Sequence, residues 1–195
     1  MTSSEDLSNG WEAAAAHLIA SRGRSGIGIS TLREWARGLP AGSSILDVGC
    51  GSGVPVSETL IGDGFQVFGV DASPTLVEAF RLRFPEAAVA CEAVERSAFF
   101  GRTFPGIVAI GLIFLLPAHT QRDLIRRLGS VLSRGGQLLF TSPAQRCTWR
   151  DITTGRPSLS LGAGEYGALL SGAGLTVTSN YVDEGENHYY AAARL

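Results

Sequence analysis

Three features of the sequence predict an α/β fold, a mostly parallel sheet with helices on both faces. Ile45-Leu46-Asp47-Val48-Gly49-Cys50-Gly51-Ser52-Gly53 is a short apolar run that ends in an acid and breaks into glycines at alternate positions. Further apolar runs alternate with amphipathic segments that carry helix start and stop signals. At 195 residues and 45% hydrophobic, the chain supplies one well-filled core and is too short for two typical α/β domains. A single domain over residues 1–195 is expected, with leading helices in 10–39, a core in 44–141, a loop in 142–164 and closing elements in 165–195.

In chain order, Trp11, Ala14, Ala15, Leu18 and Ile19 fall at helical spacing, with Asn9 placed to cap and Glu12 to reach back. The segment from Ser21 to Gly28 reads as flexible. Leu32, Trp35, Ala36 and Leu39 repeat the helical pattern, with Thr31 and Glu34 as a capping box and Gly38 and Pro40 as a stop. Leu46 and Val48 suit a strand buried on both faces. The glycines after it let the backbone turn sharply and approach a bound molecule, and Pro55 supplies a helix start.

Gln66 to Val70 is a second strand ending in Asp71, about twenty residues after the loop, where an acid meets a ribose diol. Ser73-Pro74 opens a helix that Pro85 ends, and Ala87 to Cys91 is strand three. Ile107 to Gly111 is strand four, apolar without alternation. Thr120 with Asp123 caps a long helix that Gly135-Gly136 ends, and Gln137 to Thr141 is strand five. From Ser142 to Gly164 there is no clean periodicity. Glu165 to Ala173 is a last helix, and Leu175 to Val182 with His188 to Leu195 form strands six and seven around a turn.

The stretch from Ile45 to Asp71 resembles the class I S-adenosylmethionine-dependent methyltransferases, whose first motif is an acid followed by G-x-G-x-G and whose second landmark is the acid closing strand two. Asp47, Gly49, Gly51, Gly53 and Asp71 match. The resemblance implies a Rossmann-like seven-stranded, mostly parallel sheet with an antiparallel C-terminal strand. It also implies S-adenosylmethionine as cofactor, its methionine part held by the loop backbone, with Asp47 near the amino group and Asp71 on the ribose hydroxyls. Glu92-Ala93 matches the pair that meets adenine, and Gly111 opens the segment after strand four. Trp11 matches an aromatic of the leading helix near the methyl donor, although a core position suits it equally, as a surface position suits Glu92. The expected cofactor contacts are therefore Asp47, Gly49, Cys50, Gly51, Gly53, Asp71, Ala72, Glu92, Ala93, Gly111 and Trp11.

Composition narrows the partners. All sixteen basic residues are arginine, and against eighteen acids the formal charge is −2, so no basic surface tracks a nucleic acid. Cys50, Cys91 and Cys147 fit neither a disulfide framework nor a paired metal motif, and reduced thiols in the cytoplasm are the simple account. Residues 1–9 are polar and acidic, with no export signal expected. The uncharged run from Phe104 to Thr120 is broken by Pro105, Gly106, Gly111 and Pro117 and falls short of the ~20 residues of a membrane span. No metal is expected.

The resemblance implies methyl transfer to a small-molecule acceptor in line with the donor. A nicotinamide-dependent oxidoreductase stands second, since its fingerprint needs glycine at Val54. A non-catalytic cofactor-binding module stands third. Leaving the carboxyl end of strand five, residues 142–164 lie on the cofactor side as a lid. They offer Trp149 as an apolar contact and Arg146, Arg150 and Arg156 for an acidic group, unless the loop is merely solvated. Phe114 and Leu115 stand where many relatives carry histidines, so an apolar wall is expected there. Phe114, Trp149, Arg150 and Tyr189 are the candidate acceptor contacts. His188 and His119 are the candidate proton acceptors, because each follows a strand that ends at the site and histidine titrates near neutrality. His188 also reads as a solvated start of an edge-facing strand.

Overall fold

The computed structural model describes residues 7–22 and 26–195. Residues 1–6 of the polar leader and residues 23–25 of the predicted flexible connection lie outside the described residues. Helices α1 (Trp11–Arg22) and α2 (Ile29–Ala36) precede the sheet. β1 (Ser44–Val48), α3 (Val56–Gly62), β2 (Gln66–Asp71), α4 (Pro74–Arg83), β3 (Ala88–Cys91) and β4 (Phe104–Ala109) follow. The rest of the chain is α5 (Ala118–Val131), β5 (Leu132–Thr141), β6 (Cys147–Arg150), β7 (Pro157–Ser160), α6 (Ala163–Gly172), β8 (Thr176–Val182) and β9 (His188–Ala193).

Seven strands form one sheet in the order β3-β2-β1-β4-β5-β9-β8. β1 pairs in parallel with both β2 and β4, so the chain reverses its direction of travel across the sheet there, and the glycine loop opens at that switch point. β9 is antiparallel to both β5 and β8, which turns β8 back along the core strands.

Alternation along the buried strands assigns each side chain to a face. Ile45, Val67, Val108, Leu139 and Tyr189 pack with Leu32 and Trp35 of α2, Leu60 of α3 and Phe80 of α4. Leu46, Val70, Ile107, Leu138 and Tyr190 face Leu124, Ile125 and Leu128 of α5 and Tyr166 and Leu170 of α6. All five residues of β1 are buried, as a central strand covered on both sides requires. Each of the larger apolar side chains contributes about 1.5–3 kcal/mol by leaving water.

Several expected boundaries and caps differ. The Ser8 hydroxyl, rather than Asn9, accepts from the Glu12 N–H at the head of α1 (2.9 Å), because the Asn9 amide is committed to the Leu115 carbonyl (2.7 Å). The N-cap of α2 is Gly28 and that of α5 is Pro117, which leaves Thr31 and Thr120 as buried residues inside their helices rather than caps. α5 ends at Val131, and Gly135 lies within the following strand. Ser73 does cap α4, its hydroxyl accepting from the Leu76 N–H (3.2 Å) ahead of Pro74.

The loop expected over 142–164 contains a second, two-stranded sheet, β6 antiparallel to β7. A buried polar network fastens it. Tyr166 Oη donates to Gln121 Oε1 (2.7 Å), accepts from the Leu161 N–H (3.2 Å) and meets Ser142 Oγ (2.9 Å), while Gln121 Nε2 donates to the Leu116 and Leu159 carbonyls (2.8 and 3.0 Å). Among the described residues no helix is long and apolar enough to cross a membrane.

Candidate active site

The loop after β1 takes glycine at three positions for different reasons. Gly49, Gly51 and Gly53 all have positive φ (74°, 55° and 83°), a region that L side chains occupy only with strain. A Cβ on Gly49 would stand 3.0 Å from the Leu112 side chain, and one on Gly53 would stand 2.5 Å from the Phe84 ring. Gly51 is open, its nearest neighbour being Leu76 at 3.9 Å, so a Cβ there would project into free space at the cavity wall.

Asp71 ties this loop to the end of β2. Its Oδ2 accepts from the Gly51 N–H (2.8 Å) and its Oδ1 from the Ser73 N–H (2.9 Å). Burial pushes the Asp71 carboxyl up, opposed by the N–H groups of Ser73, Gly51 and Ala72, which favour the charge. Beneath the loop lies Asp47, 2% exposed, whose Oδ2 accepts from the Ser57 hydroxyl (2.6 Å).

Above the loop a cleft of about 780 Å³, including its open mouth, is roofed by α1 through Trp11 and Leu18 and walled by Val94, Leu112 and Leu116. Glu12 latches the roof to the start of α4, accepting from the hydroxyls of Ser73 (2.5 Å) and Thr75 (2.6 Å) and from the Thr75 N–H (3.2 Å). Trp11 Nε1 is a buried donor that no protein atom accepts. Cys50 sits in the cavity wall, its thiol pushed well up by burial and by the charges of Asp47 and Asp71, which keeps it protonated and unreactive.

A second cavity, of about 1000 Å³ including its open mouth, adjoins the first across Ile110 and Gly111, which line both. The Gly111 N–H donates to Thr141 Oγ1 (2.7 Å), fixing this shared wall to the end of β5. Ile27, Leu32, Val56 and Phe114 make most of its remaining surface apolar, and Trp149 of β6 packs on Phe114 with ring centroids 5.4 Å apart. Tyr189 closes one side, its hydroxyl donating to Asp183 Oδ2 (2.8 Å). Gly28 admits that hydroxyl, since a Cβ there would stand 2.1 Å from Tyr189 Oη.

Residues 45–136 match the family model described as a methyltransferase domain. Over those residues the chain is similar to methyltransferase domains. It is 32% identical over 112 residues to the ubiquinone biosynthesis O-methyltransferase of Xanthomonas axonopodis pv. citri, covering 55% of this chain and 46% of that protein. It is 31% identical over 107 residues to the enzyme of the same name from Xanthomonas euvesicatoria pv. vesicatoria, covering 52% and 44%. The chain thus spans under half the length of the curated relatives it matches. In fold it is similar to the CcbJ methyltransferase from Streptomyces caelestis (TM-score 0.75, 14% identity, 98% of this chain and 99% of that one). It is also similar to a TehB-like SAM-dependent methyltransferase from Corynebacterium glutamicum (TM-score 0.71, 20% identity, 96% and 98%).

Around the two cavities the predicted residues divide. Trp11, Gly49, Cys50, Gly51, Asp71, Ala72 and Gly111 line the first cavity, and Phe114 and Tyr189 line the second. Asp47 and Gly53 support the loop from below, outside the cavity lining. Glu92 is exposed, its N–H donating to the Asp71 carbonyl (2.8 Å), and Ala93 is buried outside the cavity. The third-strand side of the wall is Val94 and Glu95 instead, two residues further along a turn whose path the sequence pattern did not register.

Both histidines lie away from the two cavities. His119 is exposed at the first turn of α5, in a groove with Asp123, Arg126 and Arg127. His188 has the parity of Tyr190 rather than Tyr189, so it turns to the opposite face of β9, where its ring meets Tyr190 at 4.7 Å. Burial lowers the His188 pKa. Arg150 donates to the Gly155 carbonyl (3.1 Å) and does not line either cavity, and Trp149 acts through Phe114. The sequence reading missed Thr141 and Ile110 as lining residues. Their places at the ends of β5 and β4 beside the switch point are the signal that marks them.

Proposed function

We propose that the chain is an S-adenosylmethionine-dependent methyltransferase that moves a methyl group in line from a donor in the first cavity to a small-molecule acceptor in the second. The observation that carries this reading is the pair of cavities meeting at Ile110 and Gly111, one built on the glycine loop and Asp71, the other apolar. The residues present fit the cofactor. Gly51 leaves space for a ligand at the loop, and Asp71 keeps lone pairs for two ribose hydroxyls after accepting its backbone N–H groups. Trp11 Nε1 offers an unspent donor.

The bound cofactor supplies the activated methyl and its own leaving group. The protein's work is placement and dryness, holding donor and acceptor within about 3–3.5 Å and excluding water. α1, latched by Glu12, covers the donor side; the Trp149–Phe114 pair covers the acceptor side. The names of the curated relatives support a small-molecule acceptor, and three free cysteines support a cytoplasmic setting.

Gly53 packs tightly on Phe80 and Phe84, and Val54 occupies the third glycine position of a nicotinamide fingerprint, which disfavours the oxidoreductase reading. Calorimetry with S-adenosylhomocysteine and with NAD separates the two: the first should bind and the second should not. A methyl-transfer screen against a metabolite panel should then yield a product. Binding without any turnover would leave a cofactor-binding module.

A further inference from the structure

The hydrogen-bonding state of the second cavity specifies the charge of its occupant, given the proposed reading of that cavity as the acceptor site. Several of its donors are already spent. Asn187 Nδ2 lies 3.1 and 3.0 Å from the two Asp183 oxygens and shares one N–H between them, and Tyr189 Oη donates to Asp183 Oδ2 (2.8 Å). Asp183 accepts further from the N–H groups of Gly185 (2.8 Å) and Asn187 (2.9 Å), so its charge is held in place.

At the start of α2 the Gly28 N–H is taken by Glu184 (3.1 Å) and the Ile29 N–H by the Gly26 carbonyl (3.2 Å), while Pro55 at the head of α3 has no N–H to offer. Lone pairs of Asn187 Oδ1 and Tyr189 Oη are left for an incoming molecule, and the donors left beside them are the second Asn187 N–H and the hydroxyl of Thr141, whose oxygen accepts from Gly111.

Among the described residues no arginine lines this cavity. Arg33 is paired with Asp63 (2.8 Å), Arg146 with Glu165 (3.6 Å), and Arg150 is turned to the Gly155 carbonyl. Neither Arg146 nor Arg150 is therefore turned to meet the acidic acceptor expected from the loop arginines. Asp183 and Glu184 stand behind Tyr189 and make that side of the cavity electronegative, which repels an anion and favours a cation. Ile27, Leu32, Val56 and Phe114 suit an apolar, ring-sized body.

We propose that the second cavity selects a neutral or cationic ring-bearing acceptor that donates hydrogen bonds through hydroxyl or amino groups, and rejects carboxylated or phosphorylated ones. Three probes share a 1,2-dihydroxyphenyl ring and differ in charge: dopamine, 4-methylcatechol and 3,4-dihydroxybenzoate. With protein shown to bind S-adenosylhomocysteine, methyl transfer to the first two should exceed transfer to the benzoate at least tenfold in kcat/KM. Ile27→Lys adds a cation to the wall at a half-exposed position, and should raise the benzoate's relative kcat/KM at least tenfold.

Equal or better use of the benzoate by the wild type overturns the proposal. So does failure of all three probes, or an unchanged ratio in an Ile27→Lys protein that still binds S-adenosylhomocysteine. Loss of S-adenosylhomocysteine binding by the wild type would instead sink the cofactor reading beneath it.

Discussion

Replacing Asp71 with asparagine keeps the shape of the side chain and changes only what it can accept. In the wild type the carboxylate oxygens accept from the backbone N–H groups of Gly51 and Ser73, and the lone pairs that remain are offered to the ribose hydroxyls. The amide has one accepting oxygen. Its NH2 group must face either the Gly51 or the Ser73 N–H, a donor against a donor, and one hydroxyl loses its charged partner.

A hydrogen bond to a charged group is worth about 1.5–3 kcal/mol, and partial solvation of the site returns some of that, so affinity for S-adenosylhomocysteine should fall by about 1–3 kcal/mol, or roughly 5- to 150-fold. Because burial raises the Asp71 carboxyl above its usual range, the wild type should also lose affinity as pH falls through that raised value, and the asparagine variant should not. The same upward shift means that the ionised carboxylate opposes folding at neutral pH, so the ligand-free variant should melt close to the wild type. Calorimetric titration across pH with thermal melts of the free proteins measures both. Wild-type affinity in Asp71→Asn, or an equal acid limb in both proteins, would refute the assignment.

Other expectations follow from single contacts. Gly28→Ala sets a Cβ 2.1 Å from Tyr189 Oη at a φ of 81°, and overpacking with left-handed strain should destabilise the protein by about 2–4 kcal/mol, lowering Tm by roughly 5–15 °C. Glu12→Ala removes the bonds to Ser73 and Thr75; cofactor affinity should fall by about 1 kcal/mol and proteolysis within α1 should quicken, whereas an unchanged cleavage rate would deny the latch. Burial lowers the His188 pKa, so the native state binds fewer protons there and the protein should lose stability as pH falls below the unfolded value near 6.5. Urea melts at pH 7.5 and 5.5 should show a smaller difference in His188→Gln, with turnover within a few-fold of the wild type.

The sequence by itself determined the parts whose chemistry is local. Alternate glycines after Leu46 and Val48 announce a ligand loop because their backbone angles and freedom from a side chain are properties of those positions alone. Ser73-Pro74 announces a capped helix for the same kind of reason, and Asp71 follows from a fixed chain distance within one strand-loop-helix-strand unit. Tertiary structure decided what depends on register and neighbours.

A shift of one residue along β9 separates Tyr189, which lines the second cavity, from His188, which turns away from it, and only pairing with β5 sets that parity. β6 and β7 are four residues each, too short to show a period, and they hold because the Tyr166–Gln121 network accepts them from elements far along the chain. Glu12 reads as a cap in sequence and becomes a latch because α1 lands beside α4. The charge character of the second cavity emerges last, from Tyr189 donating to Asp183 across the turn before β9 and from Gly28 donating to Glu184 near the other end of the chain, the second a pairing that no local pattern encodes.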